Sequence, residues 1–353
     1  MDPRPITAMR TGRYYTPPPY SMYTPPRMPR RIGVVSVGRS DRGHLAPLLA
    51  LLPEATLHEL DMTAPENAGN RIEQPYEVAD AAGRALRCFT LVLHERPCDL
   101  LVVFGDRWEQ LAAATAAHIL GIPIVHLHAG ETTEAVYDDG FRAAISALAT
   151  HHVAAAEPYA ERLRQQGYRS VHCLGAPGLG RLPQHNPVGS RHTLILVQFH
   201  PETRNLADIP RQVDELLHGI ADIPAEFIIT EPGMDAGREH IVKAFEGQFT
   251  ACTDDEWMHY LSIASVLVGN SSCGIIETPS IPLPSVNIGD RQTGRLMADS
   301  VISVPHDRVH IAAAIRLAID GPVWRGENLT GVNPYGDRGA AQRIAAFLKT
   351  CRL

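Results

Sequence analysis

Residues 266–295 read VLVGNSSCGIIETPSIPLPSVNIGDRQTGR. The run 265–268 is short and apolar, as a strand buried on both faces requires. Gly269-Asn270-Ser271-Ser272 follows, and a short helix is expected to start in Ile275-Ile276-Glu277. Small residues at such a turn let a ligand approach the backbone, and the first N–H groups of a helix favour an anion. Ser271 and Ser272 can cap that helix or bond a phosphate. A second strand, 285–288, leads into Gly289-Asp290-Arg291-Gln292-Thr293-Gly294-Arg295. Arg291 and Arg295 beside glycines suit a diphosphate, because guanidinium stays charged and bonds oxygens in pairs. An ordinary βαβ unit with a capped helix and surface arginines would read the same way.

Working outward, the same alternation recurs. Strands are expected at 31–36, 57–60, 99–104, 122–127, 152–155 and 171–174, with helices at 44–52, 78–96, 108–120, 141–150 and 158–166. Residues 183–190 (PQHNPVGS) have linker composition. A second array follows, with strands at 193–198, 226–230, 265–268, 285–288 and 302–304. Its helices are expected at 209–220, 235–245, 254–262 and 309–319, and a last helix at 340–349. The fold class is α/β: two Rossmann-like domains facing a cleft, 31–187 and 188–353, the last helix packing back on the first. Residues 1–30, rich in Pro, Tyr and Arg, are expected to be a disordered tail.

The chain of 353 residues is long enough for two cores. Its net charge of −7 hides +5 on residues 1–31, which leaves −12 on the body and argues against nucleic-acid binding. No apolar run reaches membrane-spanning length and the N-terminus has no apolar signal core, so a cytoplasmic location is expected. The six cysteines are scattered without a CxxC pair, which fits reduced thiols. Only two of 32 basic residues are lysine, which with the abundant Ala suggests a GC-rich coding bias.

Polar residues fall repeatedly at expected strand ends: Arg39 at the tip of a glycine turn, Asp106-Arg107, His128 and Glu131, His200, Asp235, Ser271-Ser272 and Arg291. A doubly wound sheet gathers such ends without any local motif. Buried carboxylates there suit proton abstraction, since burial and like-charge neighbours raise their pKa. Asp106, Glu131 and Asp138 are the acid/base candidates. Each also has a plain structural reading, Asp106 and Asp138 as helix caps and Glu131 as a loop charge. His126 and His128, two apart, could face one side, but no third ligand has metal-site spacing.

Five blocks now add up to a resemblance: FGDRWEQLAAATAAHILGIPIVHLHAGETTEAVYDD (104–139), QFHPET (198–203), VGNSSCGIIETPS (268–280), VNIGDRQTGR (286–295) and NPYGDRGAAQRI (333–344). The chain resembles the UDP-N-acetylglucosamine 2-epimerases, within them the hydrolysing, sialic-acid-pathway type. The resemblance implies a fold like the B-type glycosyltransferases (GT-B), UDP-N-acetylglucosamine in the cleft, a homodimer or homotetramer, and no metal or redox cofactor. It implies anti elimination of UDP to a glycal, then hydration to N-acetylmannosamine. By the same resemblance Asp106 and Asp138 are catalytic and His200 lies near the leaving phosphates. Arg39, Ser271, Ser272 and Arg291 contact the diphosphate, Glu277 holds the ribose hydroxyls, and Asp235 lies toward the uracil.

This chain departs from the family in places. It reads HLHAGE where many members read HIEGGE, so His128 replaces a catalytic glutamate and either His128 or Glu131 takes that role. Met62, before Thr63-Ala64-Pro65-Glu66, replaces a frequent histidine, Arg42 a frequent tyrosine and Gly233 a frequent asparagine, which leaves uracil or guanine open. The rival readings are a non-hydrolysing epimerase, a glycosyltransferase of the same architecture, and a nucleotide-sugar-binding protein without turnover.

Overall fold

The computed structural model describes residues 30–59, 75–185, 193–233, 235–281, 283–321 and 332–353. Apart from Arg30, the tail read as disordered lies outside the described residues. So do residues 62–66 and the boundary expected at 187–188.

The first lobe runs β1 (Ile32–Ser36), α1 (Arg39–Ala50), β2 (Thr56–Glu59), α2 (Pro75–Glu95), β3 (Leu100–Phe104), α3 (Trp108–Ile119), β4 (Ile124–Leu127), α4 (Asp138–Leu148), β5 (His151–Ala154), α5 (Glu157–Gln165) and β6 (Val171–Cys173). The second runs β7 (Leu194–Gln198), α6 (Ile209–Ala221), β8 (Glu226–Ile229), α7 (Arg238–Ala244), α8 (Asp254–Ile263), β9 (Val266–Gly269), α9 (Cys273–Ile276), β10 (Ser285–Ile288), β11 (Val301–Val304) and α10 (Arg308–Asp320). A last helix, α11 (Ala340–Thr350), follows. Residues 31–353 form one compact unit that contains both sheets.

Both sheets are wholly parallel, in the orders β2-β1-β3-β4-β5-β6 and β11-β10-β9-β7-β8. Each order reverses once: the chain leaves β1 for one neighbour and returns to the other as β3, and β7 stands likewise between β8 and β9. At such a switch the connections diverge and open a crevice outside the strand C-termini. Asp106 and Arg107 follow β3; His200 follows β7; Asn270 and Ser271 follow β9.

Side-chain alternation along the strands builds a core on both faces of each sheet. Ile195 and Val197 pack under α6 and α10, while Leu194 and Leu196 belong to the buried cluster on the other face with Trp257 and Leu261 of α8. On the first sheet, Val35 and Val103 pack under α2 and α3. Val34 and Val102 on its other face pack with α1 and with Ile344 and Leu348 of α11.

Four helix starts differ from the sequence expectation by three residues or more, α2 by beginning at Pro75, three residues early. α1 begins at Arg39, so Arg39 is its first residue and not the tip of a turn. Asp41 favours that start, its carboxylate accepting from the Val37 N–H at 3.3 Å in the first turn. Gly43, just before the helix expected at 44–52, lies inside α1 and is a packing residue: a Cβ there would lie 2.2 Å from the Arg181 guanidinium. α4 begins at Asp138, three residues early, with Asp138 and Asp139 both in its positive first turn. α7 begins late, at Arg238, and leaves Asp235 in the loop after β8.

Candidate functional site

Gly105 leaves β3 with φ +75°, a conformation open to glycine, and turns the chain into Asp106. The turn is braced by His126, whose Nε2–H donates to the Gly105 carbonyl at 2.7 Å. His126 Nδ1 lies 3.0 Å from Ser146 Oγ. Burial pushes this imidazole down to about 3, so it stays neutral. Gln110 braces the other side: its Oε1 accepts from the Phe104 N–H at 3.2 Å and its Nε2 donates to Asp41 at 2.9 Å.

Asp106 pairs with Arg142 of α4, whose side chain is 2% exposed. A buried guanidinium needs such a partner. Arg142 stands four residues after Asp138, one turn along the same helix face.

β4 ends in a strained turn. His128 is the one non-glycine residue with positive φ among those described, at 59°. This breaks the strand alternation, so His126 and His128 serve separate partners and do not form a pair facing one ligand. His128 Nδ1 lies 2.6 Å from Glu131 Oε1, and its ring meets Phe104 edge-on. Glu131 is fully buried, and its Oε2 lies 3.0 Å from Arg295 and 3.9 Å from Arg142. Burial alone would raise the Glu131 carboxyl, but His128 and Arg295 outweigh it and hold it below its ordinary value. Arg295 therefore sits on a carboxylate, where the sequence suggested a diphosphate. Among the described residues no group of three His, Cys, Asp or Glu is placed to hold a metal ion.

Across the crevice, Asp235 lies 3.7 Å from Arg107 of the first lobe and 3.9 Å from Arg291 of the second. Burial would raise this carboxyl; Arg107 and Arg291 outweigh it and lower it. Asp138 has no hydrogen-bond or ion-pair partner among the described residues. Burial and then the Asp235 charge push its carboxyl up to about 7, against Arg107 and Arg291. The loop cap belongs to its neighbour, since Asp139 accepts from the Thr133 N–H at 3.0 Å.

The second switch point is closed by a pair of bonds. Asn270 Oδ1 accepts from the His200 N–H at 2.7 Å, and Asn270 Nδ2 donates to the His200 carbonyl at 2.8 Å. His200 Nδ1 accepts from the Gly233 N–H at 3.2 Å, so the neutral ring carries its proton on Nε2. Burial and then Arg291 push it down to about 3. Glu202 fixes the Arg291 turn: its Oε1 accepts from the Asp290 and Arg291 N–H groups at 2.9 and 3.2 Å and meets His306 Nε2 at 2.9 Å. Ser271 Oγ accepts from the Cys273 N–H at 3.3 Å, while the Ser272 hydroxyl has no partner among the described residues. α9 is a single turn. Glu277, 2% exposed, faces Arg181 at 3.4 Å and His44 at 3.7 Å. His44 and Arg181 hold its carboxyl low against burial.

Asp106, His128, Glu131, Asp138, His200, Asp235 and Arg291 are thus gathered between the two sheets. The sequence did not single out Arg142, Asp41, Gln110 or Glu202. Only the spacing of Arg142 from Asp138 carried a local signal.

Two parallel sheets with their switch points facing, and carboxylates and arginines between them, define a two-lobed α/β protein built around one polar crevice. The family model described as UDP-N-acetylglucosamine 2-epimerase matches residues 52–349. The chain belongs to the UDP-N-acetylglucosamine 2-epimerase family. A Legionella pneumophila relative named UDP-N,N'-diacetylbacillosamine 2-epimerase (hydrolyzing) is 32% identical over 302 residues, 79% of this chain and 78% of that protein. A Neisseria meningitidis UDP-N-acetylglucosamine 2-epimerase is 27% identical over 330 residues, 82% and 87% of the two chains. In structure, the Neisseria meningitidis UDP-GlcNAc 2-epimerase bound to UDP-GlcNAc aligns with a TM-score of 0.73 and 16% identity, covering 90% of this chain and 99% of that one. The two-sheet α/β architecture is thus that of the GT-B-like epimerases.

Among the described residues no helix is long and apolar enough to cross a membrane.

Proposed function

We propose that the chain is a hydrolysing UDP-N-acetylglucosamine 2-epimerase that releases N-acetylmannosamine and UDP. The observation that carries the reading is the division of the crevice into two ends. One end holds His128 backed by Glu131; the other holds Arg107, Arg291 and His200. Elimination needs both, a base for one carbon-bound proton and fixed positive charge for a departing diphosphate.

In this reading His128 Nε2 takes the C2 proton. Glu131 accepts from Nδ1–H, orients the ring and stabilises the imidazolium, as a buried carboxylate does for a catalytic histidine. The C2–H electrons become the C1=C2 bond, and the C1–O bond breaks. UDP leaves with that electron pair toward Arg291, Arg107 and the Nε2–H of His200; Ser271 and Ser272, with Arg39, complete the diphosphate contacts and Glu277 the ribose side. Asp106, paired with Arg142, opposes the positive charge that grows on the sugar ring. Water then adds as hydroxide to C1 of the glycal, Asp138 gives its own proton to the other face of C2 and is reprotonated by the proton that the water loses, and His128 passes the abstracted C2 proton to solvent. The balance is UDP-sugar plus water to free sugar plus UDP. The name of the Legionella relative supports the hydrolysing outcome, and it makes UDP-N,N'-diacetylbacillosamine the second substrate to try.

The test is one NMR-followed reaction in deuterated water, with UDP- and GDP-N-acetylglucosamine and UDP-N,N'-diacetylbacillosamine in parallel. Free N-acetylmannosamine with deuterium at C2 is expected from the first. Accumulation of UDP-N-acetylmannosamine would make the enzyme non-hydrolysing. Binding without deuterium exchange would point to a glycosyltransferase or a binding protein.

The pH dependence carries a signed prediction. Asp138 must be protonated to act as the acid, so kcat should fall above about pH 7. Asp235→Asn removes the negative charge that raises Asp138 and leaves Arg107 and Arg291 to lower it. The alkaline limb should then move to lower pH. A limb that stays in place, or moves up, rejects Asp138 as the acid.

A further inference from the structure

Residues 131–137, which leave β4, are held by the second lobe along their length. Thr132 Oγ1 donates to the Gly294 carbonyl at 3.0 Å and the Glu134 N–H to the Thr293 carbonyl at 3.1 Å. The Arg204 N–H donates to the Ala135 carbonyl at 3.2 Å, and the Arg204 guanidinium to the Glu134 carbonyl. At the root of this clasp Arg295 meets the buried Glu131 carboxylate. The other end of the same guanidinium donates to Gln292 Oε1 at 2.9 Å. Gln292 Nε2 in turn donates to the Asn270 carbonyl at 2.7 Å. Asn270 is the residue that holds His200. A continuous line of polar contacts therefore runs His200–Asn270–Gln292–Arg295–Glu131–His128, from the end assigned to the leaving phosphates to the end assigned to proton removal.

Resting on the reading above, we infer that Arg295 is a positioning residue: carried by the second lobe, it shares the charge of Glu131 and so leaves His128 free to accept the substrate proton only when that lobe is in place. The reason is electrostatic. A buried carboxylate bonded to one imidazole alone holds that imidazole protonated, because the ion pair is the cheapest way to keep the charge. With a permanent cation on its second oxygen, the same carboxylate presents less charge to the ring. Arg142 lies farther from Glu131 than Arg295 does, at 3.9 against 3.0 Å, and it is engaged with Asp106. The other titratable groups around the pair are His126 of β4, Tyr159 of α5 and Tyr335 near Glu131, and His44 of α1 near His128. Burial keeps His126 and His44 neutral near pH 7 and raises both tyrosines, so none of these supplies the charge of Arg295.

The experiment is the pH profile of kcat, with KM for UDP-N-acetylglucosamine, for wild type, Arg295→Lys, Arg295→Met and Arg295→Gln. In Arg295→Met and Arg295→Gln the acid limb should move up by about one pH unit, lowering kcat about tenfold on that limb, with KM changed less than about threefold. In Arg295→Lys the limb should stay with the wild type. An unmoved acid limb in either neutral variant overturns the inference. So does a loss of kcat at all pH values without a moved limb, the mark of a scaffold role. Failure of both neutral variants to fold, while Arg295→Lys folds, makes Arg295 a stability residue and overturns it as well. If the wild type releases no UDP from the substrate, the functional reading fails instead; an active wild type with unmoved limbs fails only the role of Arg295.

Discussion

Asp106→Asn is expected to bind UDP with wild-type affinity and to lose elimination by about a thousandfold, within the 10²–10⁴ range of a removed acid/base or charge partner. The change keeps the shape and an oxygen for Arg142 but removes the negative charge. That charge matters twice. It neutralises Arg142, which is 2% exposed, and in the proposed mechanism it faces the sugar ring as the C1–O bond breaks. The groups assigned to the diphosphate, Arg291 and His200, do not bond to Asp106, so UDP affinity should survive. Truncating one partner of a buried pair costs about 3–5 kcal/mol in the worst case, so the melting temperature must be measured beside kcat and UDP affinity by calorimetry. Wild-type turnover in a folded variant removes Asp106 from the mechanism.

Gly269→Ala is expected to be the most disruptive single methyl in the crevice, costing about 4 kcal/mol or more of stability and reducing soluble yield. Gly269 closes β9 with φ +139°, paired in register with Gln198 of β7. A Cβ there would lie 1.9 Å from the Gln198 carbonyl oxygen and 2.6 Å from its carbon. Backbone cannot swing aside as a side chain can, so β7 and β9 would have to part at the switch point, and His200 and Asn270 with them. Gly38→Ala is the control: its φ of −178° is ordinary extended backbone, and no atom lies within 4 Å of the added methyl. Thermal melts of the two variants should differ widely, and equal melts would show that β9 yields easily.

The lesson of Arg295 and Glu277 is that residue type is legible before partner is. The sequence marked Arg291 and Arg295 alike as cations beside glycines. The fold gives Arg291 to Asp235 and the crevice, and Arg295 to Glu131 across the lobes. Glu277, assigned to the ribose side, is held there by Arg181 and His44, partners that no local motif announced. Glu202 was an unremarked residue in QFHPET, yet it fixes the turn that carries Arg291, 88 and 89 positions further on.

The sequence by itself determined the α/β class, the two sets of alternating strands and helices, and which polar residues stand at strand ends. Periodicity and turn chemistry are local, so neighbours along the chain suffice to read them. Its errors at the starts of α1 and α4 were errors about turns that distant contacts decide: Gly43 is helical where Arg181 packs on it, and α4 takes in both aspartates of its first turn. Only the tertiary structure decided that Asp106 meets Arg142, that His128 is backed by Glu131, and that the Asp235 charge raises the Asp138 carboxyl while Arg107 and Arg291 lower that of Asp235. Those facts depend on charges brought together by two sheets folding face to face, and the strength of each depends on burial that no short stretch of sequence contains.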